Sequence, residues 1–97
     1  MKTEKQLQDY IIKECKKRDI LCHKLESRTS RGWPDLILMG NGVTIFVEVK
    51  SPSGTGELSV LQCRTLADIQ DHGGWSEVVA DKEEADVLVR AVVRGDY

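Results

Sequence analysis

The dipeptide Asn41-Gly42 sits between two apolar runs, residues 35–39 and 43–50. Asn-Gly in that setting is the strongest short-range signal for a hairpin with a two-residue type I′ turn, because both central residues must take positive φ. Gly40 then pairs with Val43, and counting outward along the strands sets Asp35 opposite Glu48. Side chains alternate along a strand, so Asp35, Ile37, Met39, Thr44, Phe46, Glu48 and Lys50 share one face. Leu36, Leu38, Ile45, Val47 and Val49 share the other. Both faces are largely apolar, which predicts an interior pair of strands. Opposite residues of an antiparallel pair lie about 4.5–5.5 Å apart at Cβ. Asp35, Glu48 and Lys50 therefore converge at one end of the hairpin, provided the register holds; a one-residue slip sends Glu48 to the other face.

The flanking sequence supplies the remaining elements. Thr3 with Gln6 reads as a capping box that opens a helix over about residues 4–18, with Leu7, Tyr10, Ile11 and Cys15 at helical spacing. Residues 20–25 read as a strand with Ile20, Cys22 and Lys24 on one side, and residues 27–33 and 51–58 as loops. Ser59 is a candidate N-cap for a second helix carrying Leu61, Gln62, Leu66, Ile69 and Gln70, which Gly73-Gly74 ends. Residues 75–79 read as a strand. Asp81 with Glu84 is a second capping box, opening a helix that carries Ala85, Leu88, Val89, Val92 and Val93. The order α-β-β-β-α-β-α predicts an α/β fold, a mixed sheet flanked by helices. At 97 residues, with no repeat or linker, the chain is expected to form a single domain over 1–97.

Composition narrows the function classes. No apolar run approaches the roughly 20 residues of a membrane span, and the polar N-terminus does not read as a secretory signal. Cys15, Cys22 and Cys63 are odd in number and form no C-x-x-C. That argues against a disulfide framework or a zinc site and predicts an intracellular protein with small core or partly buried cysteines. Residues 1–31 hold nine Lys/Arg against five Asp/Glu, and residues 32–97 hold five against eleven. A basic segment beside an acidic remainder is a possible nucleic-acid footprint, although a lysine cluster on a solvated helix face gives the same count.

Two carboxylates set opposite each other repel, so something must compensate. A hard divalent cation does so, since it takes carboxylate and backbone oxygens, and the Val49 carbonyl offers one more. Lys50 beside it would orient or deprotonate a water, or stabilise charge on a phosphate. Read singly, Glu48-Val49-Lys50 is an ordinary ion pair near a strand end, and Asp35 merely starts a strand after Pro34. The convergence of all three on one face favours the metal site.

Gly32-Trp33-Pro34-Asp35 followed by Glu48-Val49-Lys50 resembles the P-D…(D/E)-x-K nuclease pattern. The G-x-P-D-L-I form, a preceding helix with an early Glu, the hairpin, V-E-V-K and a following S-x-x-Q resemble the virus-type replication-repair nuclease (VRR-Nuc) family over residues 4–74. The resemblance implies a restriction-endonuclease-like PD-(D/E)XK core, Mg²⁺ or Mn²⁺, and phosphodiester hydrolysis in DNA. It implies Asp35 and Glu48 as metal ligands and Lys50 as the catalytic lysine. Glu4 would complete the metal site through water, and Gln62 would be an accessory residue of the active site. Stand-alone members look like junction resolvases, so the expected activity is that of a homodimeric, structure-selective endonuclease on branched DNA, and the C-terminal 87–89 and 92–93 stretch is the expected partner surface. A flap, nicking or restriction-type nuclease with the same site is the alternative within the class. A non-catalytic DNA-binding module is the alternative outside it.

Neighbouring residues have two readings each. Glu4 also suits a helix N-terminus electrostatically, and Gln62 also reads as a helix-surface residue. Arg28 and Arg31 are candidate phosphate contacts. Trp33 is either a core cap or a surface on which a base stacks. His23 and His72 lack metal-ligand spacing.

Overall fold

The computed structural model describes residues 1–25, 31–53 and 57–97. Arg28 and most of the 53–56 loop lie outside the described residues. Thr3 Oγ1 accepts the Gln6 N–H at 3.1 Å and the Gln6 carboxamide oxygen accepts the Thr3 N–H at 3.2 Å, the expected capping box at the start of α1 (Glu4–Lys17). Arg18 caps its C-terminus. β1 (Leu21–Lys24) is one residue shorter at each end than expected. β2 (Leu36–Gly40) and β3 (Val43–Val49) form the hairpin, in the expected register from Gly40↔Val43 to Leu36↔Val47. Asn41 and Gly42 have φ of 53° and 82°, both positive as the type I′ turn requires.

After the hairpin come α2 (Val60–Asp71), β4 (Trp75–Val79) and α3 (Lys82–Arg94). The sheet order is β1-β2-β3-β4, antiparallel except for the parallel pair β3–β4. The expected capping box at α3 is displaced. Asp81 accepts the Glu84 N–H at 2.8 Å, but the Glu84 carboxylate accepts from Ala80 N at 3.0 Å instead of from Asp81.

On one face of the sheet the side chains of β2 and β3 are buried. Leu36, Leu38, Val43, Ile45, Val47 and Val49 meet Leu7, Ile11 and Cys15 of α1 and Ala85, Leu88, Val89 and Val92 of α3 in a single core. Tyr10 Oη donates to Asp86 and joins the two helices. Asn41 Nδ2 donates to the Val92 carbonyl at 3.1 Å and ties the hairpin turn to α3. α2 lies on the opposite face, where Ser76 Oγ donates to the Leu66 carbonyl at 3.4 Å. One helix cannot cover four strands, so Met39 and Thr44 remain exposed there. The expectation of two buried faces therefore holds for one of them.

Two further expectations change. Leu88, Val89 and Val92 belong to the core, leaving only Val87 and Val93 of the C-terminal stretch on the surface, which is too little for the expected partner surface. All three cysteines are free, but Cys63 is exposed rather than packed. Among the described residues no helix is long and apolar enough to cross a membrane.

Candidate active site

The sheet ladder stops at the end of the hairpin that carries Asp35 and Glu48. Pro34 is fully buried and has no N–H to give a neighbouring strand. β2 accordingly starts at Leu36, one residue later than expected. Asp35 Oδ2 accepts the Val49 N–H at 2.8 Å, so its carboxylate takes the place of the next backbone rung. The Asp35 carbonyl accepts the Leu25 N–H at 2.8 Å, which fixes the residue from the β1 side.

Glu48 lies at the same end of the hairpin and is only 2 % exposed. Burial first and Asp35 second raise its carboxyl from 4.5 to about 9. Lys50 pulls the other way and Glu4 adds to the rise, so Glu4, at the start of α1, acts within the field of this site. The carboxylate pair read from the register is thus present, and it holds a proton near neutral pH.

Lys50 is fixed twice. Its N–H donates to the Val79 carbonyl at 2.8 Å, one step beyond the last residue of β3. Its Nζ donates to Gln62 Oε1 at 3.3 Å. Gln62 Nε2 donates in turn to Glu48 Oε2 at 3.2 Å. Gln62 is therefore placed between the lysine and the buried acid. It is also the third residue of α2, where its Oε1 accepts the Ser59 N–H at 2.8 Å and Ser59 Oγ accepts its N–H at 3.1 Å. The capping box of α2 and the polar site share one carboxamide. In the sequence Ser59 reads as a cap, and only the family resemblance implies Gln62 as an accessory residue; S-x-x-Q is the capping-box signature that joins the two.

The approach to Asp35 is set by Gly32, at φ 79°. A Cβ there would lie 2.5 Å from Leu61 Cγ, so only glycine lets this segment lie against the first turn of α2. Trp33 follows, 45 % exposed, with its ring edge-to-face on Phe46. Arg31 is exposed at the start of this segment.

These donors fit a hard divalent cation. Among the described residues no three His, Cys, Asp or Glu side chains group closely enough to hold a metal unaided. Two carboxylates and a carbonyl, with water for the rest, suit Mg²⁺, which keeps several of its waters. In β3 alternate residues turn their backbone groups to opposite neighbours. Lys50 bonds to β4, so Val49 turns its carbonyl towards the Asp35 side, beyond the first residue of β2.

No family model matches the chain, and no curated protein matches it. A solved structure described as a VRR_NUC domain protein superposes with a TM-score of 0.79 over 95 % of this chain and 88 % of that one, at 16 % identity. This is the VRR-Nuc fold. In that fold the expected architecture is present in full, and the G-x-P-D and V-E-V-K segments meet at one end of β2 and β3.

Proposed function

We propose that this chain is a divalent-metal-dependent DNA endonuclease of the VRR-Nuc type. The observation that carries the reading is Glu48, an acid buried beside a second acid, with Lys50 linked to it through Gln62. A folded domain keeps an unfavourable carboxylate pair of this kind where a ligand relieves it.

Asp35, Glu48 and the Val49 carbonyl would hold Mg²⁺ or Mn²⁺, with Glu4 reaching it through water. The cation supplies charge stabilisation at the scissile phosphate and a more acidic water. On becoming a ligand Glu48 would give up its proton to solvent water. Asp35 offers the oxygen not engaged by Val49 N–H. Gln62 holds the Lys50 ammonium beside the carboxylates, where it steadies negative charge on the phosphate or exchanges a proton with water. Arg31 and the basic N-terminal segment would contact the DNA backbone.

The finer reading is a homodimer acting on branched DNA, a four-way junction in the first instance. A twofold-related pair of sites suits two symmetric cuts. The test is cleavage of a four-way junction, a flap and a linear duplex in Mg²⁺, in Mn²⁺ and in EDTA, with Lys50→Ala alongside. Metal-dependent cutting lost in the variant supports the nuclease, and paired cuts on the junction alone support the resolvase. DNA binding in EDTA without cutting in either metal would replace both with a binding module.

A further inference from the structure

We propose that Trp33 is a stacking platform for an unpaired or extruded nucleobase beside the scissile phosphate, so that the substrates are branched DNAs in which a nucleotide next to the cut is unpaired or leaves its stack at the branch point. This rests on the nuclease reading above and names its substrate class. Trp33 stands two residues before Asp35, and its ring meets Phe46 at 5.7 Å between centroids and 62° between planes. Phe46 and Glu48 are two apart in β3 and so lie on one face, which brings the indole to the edge of the carboxylate site.

The ring is held in advance. Phe46 supports it, buried Pro34 follows it, and Gly32 before it is pressed against Leu61. A platform already fixed loses little freedom when a base stacks on it. Leu61, against which Gly32 lies, is apolar and 45 % exposed. Such a shoulder offers nothing to a phosphate but matches the π-face of a base. Paired bases in duplex DNA keep their faces inside the stack, so only an unpaired or extruded base reaches the indole. Stacking on an aromatic ring is tolerant of base identity, so the selection is for structure, not sequence.

The probe is 2-aminopurine placed either in a short single-stranded flap or inside a fully paired duplex. Binding is read by fluorescence in Ca²⁺ and cleavage in Mg²⁺. Wild type is expected to quench the flap probe on binding, and Trp33→Ala to bind without quenching. Trp33→Ala is expected to slow flap cleavage by about ten- to a hundredfold, in line with the loss of one base stack, and to slow duplex cleavage far less. Trp33→Phe keeps an aromatic face and is expected to restore much of both signals, with melting curves verifying that each variant folds. Equal slowing on both substrates, unquenched binding by wild type, or a dimer that becomes a monomer in Trp33→Ala would overturn the proposal. Trp33-dependent quenching without cleavage of any substrate would leave the platform standing and remove the nuclease reading.

Discussion

Gln62 Nε2 donates to Glu48 Oε2 at 3.2 Å while the same carboxamide accepts Lys50 Nζ and the Ser59 N–H through its oxygen. One side chain therefore couples the start of α2 to the buried acid and the lysine. The consequence is that a helix cap, usually a matter of stability alone, also orients the site.

Ser59→Ala removes one half of that cap. The expected cost is about 1 kcal/mol of folding stability. Cleavage is expected to fall severalfold as well, because Gln62 loses the hydroxyl that holds its backbone. Ser59→Thr keeps an accepting oxygen and should recover both properties. Urea melts and cleavage rates on one DNA substrate test this. Normal cleavage by a destabilised Ser59→Ala protein would separate the cap from the site.

Glu48 gives a pH dependence with a definite sign. Its carboxyl stands at about 9 in the metal-free fold against 4.5 as a reference. A raised value means that its contribution to stability is fully present below 4.5 and is lost as pH rises towards about 9. Glu48→Gln stays neutral throughout. The stability of the variant relative to wild type should therefore grow with pH, reaching a few kcal/mol in order of magnitude near pH 8. Adding Mg²⁺ or Mn²⁺ should raise the melting temperature of wild type and leave Glu48→Gln unchanged. Parallel melting curves across pH, with no widening gap, would contradict the burial argument.

The hairpin was the most legible part of the chain, because Asn41-Gly42 dictates the turn and the turn dictates the register. That register alone brings Asp35, Glu48 and Lys50 to one end. Other features depend on tertiary packing and leave no local pattern. Asp35 ends the ladder with its side chain because Pro34 cannot pair, and Gln62 reaches Glu48 only because α2 folds back over β3. Leu88, Val89 and Val92 looked available for a partner, yet α1 and the sheet had first claim on an apolar helix face.

Tyr10→Phe isolates structure from chemistry. Tyr10 Oη donates to Asp86, and that bond first, then burial, raises the phenol to about 12 while lowering the Asp86 carboxyl. The link is intact between those limits; it fades above pH 10 as the phenol ionises through about 12, and below 3.8 as Asp86 takes up a proton. Loss of the hydroxyl is expected to cost about 1 kcal/mol. Metal affinity should not change, because the bond lies between α1 and α3 and touches none of the site residues. Urea melts and a Mn²⁺ titration on the same samples test both halves.

Arg31→Ala should weaken DNA binding on every substrate alike and lower the slope of log affinity against log salt by about one. Catalysis at saturating protein should be unchanged, since Arg31 is exposed and outside the carboxylate cluster. Binding measured at several salt concentrations decides this, and an unaltered slope removes Arg31 from the contact surface.

Asp35 carries two duties that substitution can separate. One oxygen accepts the Val49 N–H at 2.8 Å, which is structural, while its charge disfavours ionisation of Glu48. Asp35→Asn retains an accepting oxygen and removes the charge, so above about pH 9, where Glu48 is ionised, the metal-free protein should be at least as stable as wild type. Asp35→Ala leaves the Val49 N–H without its acceptor and should cost about 1–3 kcal/mol. Both should lose the melting-temperature increase on adding Mn²⁺, because the ligand is gone in each. Urea melts with and without Mn²⁺ distinguish the duties. If at that pH Asp35→Asn falls as far as Asp35→Ala in the absence of metal, the Asp35 charge stabilises the fold, and the carboxylate repulsion on which the metal proposal rests is not there.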